Sequence, residues 1–431
     1  FTEIAADLGT ALMKNMVAIG ASSAILGIAP ERFQAVVEQI FGRKGPDMVE
    51  KNLAAIREGA AAFEALAGDG ERFVLDPADG KQRMFMIGND AIALGAIAGG
   101  ARLMAAYPIT PSSEIMEYLI KKLPQFGGTV VQTEDELAAV TMAIGANYAG
   151  VRALTASAGP GLSLMAEAIG LSGMTETPLV IVDTQRGGPS TGLPTKQEQS
   201  DLMAMIYSTH GEIPKVVLAP STVEEAFYDA AEAFNIAEEY QCPVILLTDL
   251  MLSLGKQSVE PPDMSRVEIR RGKLIQEDLP ELEGKAYFKR YEVTEDGVSP
   301  RVIPGMKHGI HHVTGVEHNE EGRPSEATKN RVDQMTKRLR KLNTFRLPDA
   351  VLVTEHHAEP DILFVGFNST RGTIEEIMPR LEAQGLKVDH LHIRQVHPFP
   401  SELVTPHLER AKRVIVVEYN ATGQLAKLIQ M

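Results

Sequence analysis

The sequence predicts an α/β protein built on parallel sheets, and three observations support this fold class. Apolar runs rich in Val, Ile and Leu alternate with segments of helical periodicity, over 84–254 and again over 361–419. Polar, glycine and proline clusters fall where each predicted strand gives way to the next helix. Strands separated by helices pair in parallel through right-handed crossovers, so their carboxyl ends should share one edge, where such sheets bind ligands.

Composition narrows the class of protein. The 431 residues are 44% hydrophobic, which is enough for two or three cores of ordinary domain size. Because 42 Lys and Arg face 57 Asp and Glu, the net charge is -15, and no basic cluster suggests binding to nucleic acid or to an anionic membrane. No apolar run approaches the roughly 20 residues of a membrane helix, and no signal peptide pattern opens the sequence. We therefore expect a cytoplasmic protein.

Cys242 is the only cysteine. A single thiol excludes an internal disulfide and any iron–sulfur cluster bound by several thiolates of this chain. Its position in a strand-like run predicts an inert, buried side chain. Any iron–sulfur centre must therefore come from another chain.

Residues 1–75 are predicted to be helical, because Ala, Leu and Met recur there without strand alternation. The first residue is Phe1 and the last residues lie in a predicted helix, so we expect a piece of a longer polypeptide.

The first sheet follows the helical segment. Its predicted strands and helices are, in order, strand 84–87, helix 90–100, strand 101–107, a helix from Pro111, a helix after Glu136, strand 179–185, strand 215–219, helix 222–240 and strand 242–249.

Thr110 and Pro111 open one of these helices. Pro is favoured at the first helical position and Thr at the N-cap, so we expect Thr110 to cap the helix. A ligand-binding role is compatible with this one, because a helix N-terminus also favours anions.

Glu136 has two interpretations. Thr133 and Glu136 have the spacing of a capping box, which makes Glu136 part of a helix start. The helix that follows is rich in small residues over 138–150, which suits close packing against a cofactor or another subunit.

Residues 256–345 break the α/β pattern with proline, charges and the histidines His308, His311, His312 and His318. A metal site is one interpretation. The more ordinary one is that residues 256–345, which we call the excursion, form a polar segment at an interface. The same choice applies to His356 and His357. Residues 327–342 are predicted to form a basic connecting helix.

Several of these motifs together resemble a known family. Tyr107-Pro108-Ile109-Thr110-Pro111, the spacing from Glu136 to Gly145, Thr155 to Gly161, and Gly187 to Leu202 resemble the α subunit of 2-oxoacid:ferredoxin oxidoreductases, specifically the 2-oxoglutarate type. The resemblance covers roughly residues 80–431. It implies a pyrimidine-type thiamine-diphosphate-binding domain over 76–255, an insertion or connector over 256–345 and a transketolase C-terminal-like α/β domain over 346–431. Residues 1–75 resemble the helical tail of the γ-type domain that many members fuse ahead of the α part.

The resemblance implies a catalytic role for Glu136. In the wider thiamine-diphosphate superfamily an acidic residue lies nine positions before a glycine, a relation that selects Glu136 against Gly145, with Glu134 as the weaker alternative. This carboxylate would bind the aminopyrimidine ring and favour the tautomer that activates the thiazolium carbon. Tyr107, Pro108 and Ile109 would contact the same cofactor.

The resemblance also implies the substrate site. Thr110 and Arg186 would meet the carboxylate end of the 2-oxo acid, and Lys196 would bind a distal carboxylate. The alternative is that the two cations form surface ion pairs with Glu198 or Asp201.

The expected activity is oxidative decarboxylation of 2-oxoglutarate with coenzyme A, or the reverse carboxylation. A β subunit would carry the diphosphate and magnesium site and a [4Fe-4S] cluster, electrons would pass to ferredoxin, and the assembly would be an (αβ)2 heterotetramer. We expect no metal ligand in this chain. Gly68-Asp69-Gly70 mimics the start of the diphosphate signature, but residues 94–104 lack its Asn pair, which favours a plain turn.

Three alternatives remain open at this point. The substrate can be pyruvate or a branched-chain 2-oxo acid. The chain can belong to another thiamine enzyme of the superfamily, such as a 2-oxoacid dehydrogenase or a transketolase. It can also be a non-catalytic assembly subunit.

Overall fold

The structure is a computed structural model that describes residues 1–67, 73, 75–76, 78–282, 287–354 and 357–431. Asp69 and His356, which the sequence singles out, lie outside these residues. Contacts divide the chain into two compact units, residues 1–82 and 83–431.

The first unit is helical, as predicted. Its helices are α1 (Thr2–Asp7), α2 (Lys14–Ile25), α3 (Gln34–Phe41) and α4 (Pro46–Ala67). Helices α2 and α4 touch through glycine, because a Cβ on Gly20 or Gly59 would overlap backbone atoms of the facing helix. Val17 and Ile56 fill the core beside these contacts.

The second unit alternates strands and helices. Up to the excursion they are β1 (Met84–Ile87), α5 (Gly88–Ala98), β2 (Leu103–Ala106), α6 (Ser113–Lys122), β3 (Thr129–Gln132), α7 (Glu136–Tyr148), β4 (Ala153–Ser157), α8 (Gly159–Thr175), β5 (Leu179–Gln185), α9 (Leu202–Tyr207), β6 (Val216–Leu218), α10 (Val223–Tyr240), β7 (Pro243–Asp249), α11 (Leu250–Leu254) and β8 (Lys256–Val259). The remainder are α12 (Thr328–Arg340), β9 (Val351–Thr354), β10 (Ile362–Gly366), α13 (Thr370–Glu382), β11 (Val388–Ile393), β12 (Gln395–His397), α14 (Ser401–Arg410), β13 (Val414–Val417) and α15 (Gln424–Gln430).

The large sheet confirms the predicted α/β class. Among the described residues its strand order is β12-β6-β7-β5-β4-β2-β3, and all neighbours are parallel except β12, which pairs antiparallel with β6. Every residue of β4, β5 and β7 is buried, because helices cover both faces of a parallel sheet. The expectation that β1 joins this sheet is wrong: β1 pairs antiparallel with β8 in a separate two-stranded sheet.

The C-terminal strands form a second sheet with the order β13-β10-β11-β9. One hydrophobic core joins it to the large sheet, since Val217 and Leu247 cluster with Leu363, Leu391 and Leu425. The two sheets therefore pack as one body.

Buried charges anchor the excursion between the two sheets. Glu176, at the end of α8, forms ion pairs with Lys337 (2.6 Å) and Lys341 (2.5 Å), and all three side chains are fully buried. Burial opposes the ionisation of Glu176, but Lys341, Lys337 and Arg290 outweigh it and keep the pKa of Glu176 well below its usual value. The predicted basic helix exists as α12, and its lysines are part of the interior.

No helix in the described part of the chain is both long enough and apolar enough to cross a membrane.

Candidate functional site

The motifs of the sequence meet at the carboxyl edge of the large sheet. Residues 107–110 follow β2, residues 158–161 follow β4, and Arg186 follows β5. These three strands lie side by side in parallel, so the loops that follow them leave the sheet at the same edge.

Glu136 opens α7, but the expected capping box is wrong. The N-cap is Asp135, whose Oδ1 accepts a hydrogen bond from the Ala138 N–H (2.7 Å), while the Thr133 hydroxyl donates to the Asp135 carbonyl oxygen (2.9 Å). Asp135 adopts the extended backbone of an N-cap, and the cap therefore falls two residues after Thr133. The Glu136 side chain takes no part in the cap.

The Glu136 side chain is 7% exposed. Its carboxylate has no hydrogen-bond partner within the part of the chain that the structure describes, although it lies in the positive field of the α7 N-terminus. A carboxylate that makes no hydrogen bond within the protein is free to bind a ligand, which makes Glu136 a candidate functional residue.

Gly161 forms the wall beside Glu136. A Cβ at Gly161 would lie 2.8 Å from Glu136 Cγ and 2.9 Å from its Oε1, and it would overlap the Ser157 hydroxyl. Only glycine leaves room for both polar side chains here, which explains the Gly-Pro-Gly start of α8.

The outer face of α7 carries Gly145, beside which a Cβ would meet nothing within 4 Å. Leu137 and Met142 are 44% and 40% exposed on this helix. The close approach of another body to α7 therefore stays a prediction.

Arg186 is buried at the end of β5. Its guanidinium donates hydrogen bonds to the Thr110 carbonyl oxygen and, at 3.0 Å, to the Thr191 carbonyl oxygen. Its Nε–H has no partner among the described residues. The structure thus brings Arg186 and Thr110 together, and it does so through the Thr110 backbone.

The Thr110 region differs from the expected helix start. Helix α6 begins at Ser113, so Thr110 is not its N-cap. A tight turn precedes the helix, because the Ile109 carbonyl oxygen accepts bonds from Ser112 N–H (2.8 Å) and Ser112 Oγ (2.9 Å). Tyr107 is 39% exposed, and Pro108 and Ile109 are half-buried.

Lys196 is exposed. Its backbone is fixed, since the Gly187 N–H donates to the Lys196 carbonyl oxygen (3.0 Å) and the Lys196 N–H donates to Leu193 (3.1 Å). Its ammonium makes no hydrogen bond or ion pair within the described residues. The geometry therefore does not place it against Arg186.

A cleft of about 580 Å³ opens beside Arg186. It is lined by the start of α8, by the loop 186–191 and by Glu198, Ser200 and Asp201.

Two acids near this site, Asp201 in the cleft lining and the fully buried Asp183 in β5, have electrostatic surroundings that the sequence did not reveal. Burial and the nearby Glu198 raise the pKa of Asp201 to about 6. Burial and Asp201 raise the pKa of Asp183, in β5, well above its usual value. Asp183 pairs across the sheet with Ser157, so these side chains share one face. The sequence feature that could have drawn attention to Asp183 is the presence of an acidic residue in the predicted buried strand 179–185.

The segment that follows strand β13 also contacts the loop that contains Gln199 and lines the cleft. The sequence did not predict this contact. The Gln199 N–H donates to Tyr419 O (2.7 Å), and the Tyr419 N–H donates to Gln199 Oε1 (3.0 Å). The Gln199 amide donates to Asp249 (2.8 Å), and the Asn420 amide donates to the Gln199 carbonyl oxygen (3.1 Å). We call Gln199, Tyr419 and Asn420 the loop clamp.

Three of the four histidines of the excursion, His311, His312 and His318, have protein partners. His311 Nε2 lies 3.2 Å from the Tyr148 hydroxyl, and the His318 ring packs 4.0 Å from that of Tyr291. Across the described ranges, no group of three or more His, Cys, Asp or Glu is arranged to bind a metal.

Family models match most of the chain. The model described as "Pyruvate flavodoxin/ferredoxin oxidoreductase, thiamine diP-bdg" matches residues 94–337. "Pyruvate ferredoxin/flavodoxin oxidoreductase" matches residues 1–62, and "Pyruvate:ferredoxin oxidoreductase core domain II" matches residues 360–431.

Relatives and a solved structure agree with this assignment. The 2-oxoacid:ferredoxin oxidoreductase 2 subunit alpha of Aeropyrum pernix is 38% identical, with 96% of this chain and 66% of that protein covered. The 2-oxoglutarate synthase subunit KorA of Methanothermobacter thermautotrophicus is 37% identical, with 81% and 90% covered. A 2-oxoglutarate:ferredoxin oxidoreductase from Magnetococcus marinus, solved with 2-oxoglutarate, coenzyme A and succinyl-CoA bound, is 38% identical with a TM-score of 0.91, covering 100% of this chain and 74% of that one.

This chain spans about two thirds of the Aeropyrum protein. The matches extend over both sheets and over the helical first unit. They confirm the family that the motifs at 107–111, 136–145 and 155–161 resemble. The chain belongs to the family of 2-oxoacid:ferredoxin oxidoreductase α subunits.

Proposed function

We propose that this chain contributes to a 2-oxoglutarate:ferredoxin oxidoreductase, which converts 2-oxoglutarate and coenzyme A to succinyl-CoA and carbon dioxide or runs in reverse. The observation that carries the proposal is that two residues lie at the same edge of one sheet: Glu136, whose carboxylate makes no hydrogen bond within the described residues, and the buried Arg186, whose Nε–H has no partner there. The Glu136 carboxylate can bind a ring N–H of a cofactor, and the Arg186 guanidinium can bind an anionic substrate. The Magnetococcus relative, which contains 2-oxoglutarate and coenzyme A, supports this choice of substrate.

Thiamine diphosphate fits the surroundings of Glu136. The carboxylate makes no hydrogen bond within the described residues, so it is available to a ring nitrogen of the cofactor, and Gly161 allows the side chain to lie close to the start of α8. When bound, the cofactor would supply the carbon nucleophile for the 2-oxo group and would accept the electrons released on decarboxylation. In this chain Glu136 would hold its aminopyrimidine ring, and Tyr107, Pro108 and Ile109 would contact it.

The contribution of Glu136 is to hold and move a proton at its carboxylate oxygens. As a carboxylate at the first residue of α7, it can accept a hydrogen bond from a ring N–H. Packing against Gly161 fixes the orientation of the side chain, so the proton moves along one direction.

Arg186 and Thr110 would bind the carboxylate next to the 2-oxo group. Two carbonyl oxygens fix the plane of the guanidinium, so it is oriented before the substrate arrives. Lys196, exposed on the same loop, would meet the distal carboxylate that 2-oxoglutarate has and pyruvate lacks. A pyruvate or branched-chain substrate would leave Lys196 without a role.

The remaining chemistry belongs to partners. We propose a β subunit with the diphosphate and Mg²⁺ site and a [4Fe-4S] cluster, ferredoxin as electron acceptor, and an (αβ)2 assembly in the cytoplasm. Cys242 is buried and free, so it does not take part in cluster binding. Residues 76–255 would bind the pyrimidine end of the cofactor, 256–345 would connect, and 346–431 would form the transketolase C-terminal-like domain after the γ-type tail at 1–75.

The test is coenzyme A-dependent reduction of a low-potential acceptor by the complete protein, copurified with its partner subunit. We expect a clear preference for 2-oxoglutarate over pyruvate. In the Lys196→Gln variant, KM for 2-oxoglutarate should rise about tenfold, the effect of losing about 1.4 kcal/mol, with pyruvate turnover unchanged. A preference for pyruvate would overturn the substrate assignment, and an intact iron–sulfur complex without activity towards either would overturn the proposed function.

A further inference from the structure

The cleft beside Arg186 contains a carboxyl group that the proposed chemistry does not use. Asp201 lines the cleft with Arg186, interacts with its charge and accepts a hydrogen bond from the Gly159 N–H at the start of α8. Its Oδ2 is buried and has no hydrogen-bond partner among the described residues. Asp201 precedes α9, yet its side chain does not cap that helix. Its carboxylate therefore contacts the start of α8 and leaves one buried oxygen without a partner beside the cleft.

A second acid lies behind it. Asp183 in β5 is fully buried, and neither of its carboxylate oxygens has a hydrogen-bond partner within the described residues. The Ser157 hydroxyl, opposite Asp183 across the sheet, is likewise without a partner in those ranges. Two close carboxyl groups in a buried region resist carrying two negative charges at once, so we expect them to retain a proton.

The groups around Asp201 divide into two sets. Asp183 from the sheet and Glu198 from the site loop disfavour a negative charge on Asp201. Arg186 and the Gly159 N–H favour it. Arg186 is also the residue that would bind the substrate carboxylate, so Asp201 and the substrate would both interact with its charge.

We propose that Asp201 is a positioning residue that competes with the 2-oxo acid for Arg186. When Asp201 is ionised, its carboxylate takes up part of the Arg186 charge and repels the substrate. When it gains a proton from solvent, the guanidinium serves the substrate alone. Binding of the substrate anion is then accompanied by partial uptake of a proton at Asp201, with no other bond made or broken. This inference rests on the proposed role of Arg186.

The proposal fixes the direction of a pH effect. Because the pKa of Asp201 is about 6, KM for the 2-oxo acid should be low at pH 5.5 and should rise towards pH 7.5. We expect a rise of about tenfold, since an ion pair in a partly buried site is worth on the order of 1.4 kcal/mol.

The Asp201→Asn variant tests this in the complete protein with its partner subunit. The amide has the same shape and cannot ionise, so KM should stay low and flat from pH 5.5 to 8 while kcat follows that of the wild type. Glu167→Gln is the matched control, because Glu167 is an exposed acid on α8, and its KM profile should keep the wild-type rise. A rise of KM in Asp201→Asn that parallels the wild type would overturn the proposal.

Glu198→Gln gives a second test, which decides the matter if Asp201→Asn does not fold. Glutamine keeps an oxygen for the Gly188 N–H, which donates to Glu198 at 2.8 Å, but removes the charge that opposes Asp201 ionisation. The rise in KM should therefore move to lower pH, and an unchanged midpoint would contradict the proposal.

Calorimetric titration with the 2-oxo acid at pH 7, in two buffers of different ionisation enthalpy, measures the proton directly. The wild type should take up roughly 0.4 proton, the fraction that goes with a tenfold change in KM for a group of pKa about 6, and Asp201→Asn close to none. If Arg186→Lys leaves KM unchanged, the proposed substrate site is wrong. If KM depends on Arg186 but not on pH, only the role of Asp201 is wrong.

Discussion

Glu136 and Asp135 are adjacent acids with different tasks. Asp135 satisfies a backbone N–H at the start of α7, and Glu136 is buried without a partner among the described residues. A capping acid contributes to stability, and an unpartnered acid costs stability. This difference allows catalysis and helix stability to be separated by two single substitutions.

We predict that Glu136→Gln abolishes turnover without lowering thermal stability. Glutamine keeps the size of the side chain beside Gly161 but does not exchange the proton, so kcat should fall by about 10² to 10⁴. Turnover by the copurified complex and its melting temperature are the two measurements.

Asp135→Ala is the matched control. Loss of its bond to Ala138 should lower the free energy of unfolding by about 1 kcal/mol and leave the chemical step intact. An equal loss of stability and turnover in Glu136→Gln would show that Glu136 acts in folding.

At the scale of elements, the loop clamp connects the loop that carries Lys196 and Asp201 to the segment after β13. Tyr419 and Asn420 hold the backbone of Gln199, three residues after Lys196 and two before Asp201. The C-terminal sheet supplies no proposed catalytic residue, yet it determines where two charged side chains of the loop lie.

We predict that Asn420→Ala raises KM for the 2-oxo acid. The change removes the bond to the Gln199 carbonyl oxygen (3.1 Å) and the bonds that Asn420 Oδ1 accepts from Gly423 (2.9 Å) and Gln424 (3.1 Å). The free energy of unfolding should fall by about 1 to 3 kcal/mol, and KM should rise several-fold with a smaller change in kcat.

Asn330→Ala provides the comparison. Its amide donates one hydrogen bond to the His318 carbonyl oxygen (3.0 Å) in the excursion, away from the loop clamp. This variant should lose stability and keep the wild-type KM. A similar rise of KM in both variants would mean that the clamp has no specific effect on the loop.

At the scale of the whole molecule, the two sheets share a core, and titration of His390 and His392 in the second sheet and of His397 in the large sheet affects the stability of the unit. Burial lowers the pKa of His390 and of His397 to about 4, and burial lowers that of His392 well below its usual value. In the unfolded chain a histidine has a pKa of about 6.5.

We predict that acid destabilises this unit from pH 6.5 downward. Between pH 6.5 and about 4 the unfolded chain binds more protons than the folded one, so the free energy of unfolding falls as pH falls. The limiting slope is about 1.4 kcal/mol per pH unit for each histidine. Denaturant unfolding at several pH values from 7 to 5 measures it.

His392→Gln should reduce this slope by the share of one histidine, whereas His210→Gln, at an exposed position, should leave it unchanged. If all three proteins showed one slope, the acid sensitivity would arise elsewhere.

Sequence patterns predicted what depends on local order and missed what depends on distant partners. Strand Leu179–Gln185 has the predicted bounds, because its apolar start, Leu179 to Val182, marks a buried strand. The start of α6 was misplaced, because a turn closed by Ser112 takes the place of the expected cap at Thr110. Glu176 gave no signal, since its lysines lie more than 150 residues further along the chain.

The residues of the candidate site fall into the same two groups: those whose position follows from the local sequence, and those whose contacts depend on distant residues. The position of Arg186 follows from its place after a strand, but its hydrogen bond to Thr110 joins residues 76 positions apart. Asp201 looked like a loop acid because only the folded chain brings it over the start of α8. The chemical role of a buried polar side chain depends on residues that are distant in sequence, so it can be identified only in the folded structure.

The antiparallel pairing of β12 with β6 has a consequence for synthesis of the chain. Val217 and Leu218 leave the ribosome nearly two hundred residues before their partners His397 and Gln395. Until then the β6 edge is open, and an open apolar edge invites pairing with other chains. A nascent chain stalled before residue 395 should therefore aggregate or recruit chaperones more than one released after it.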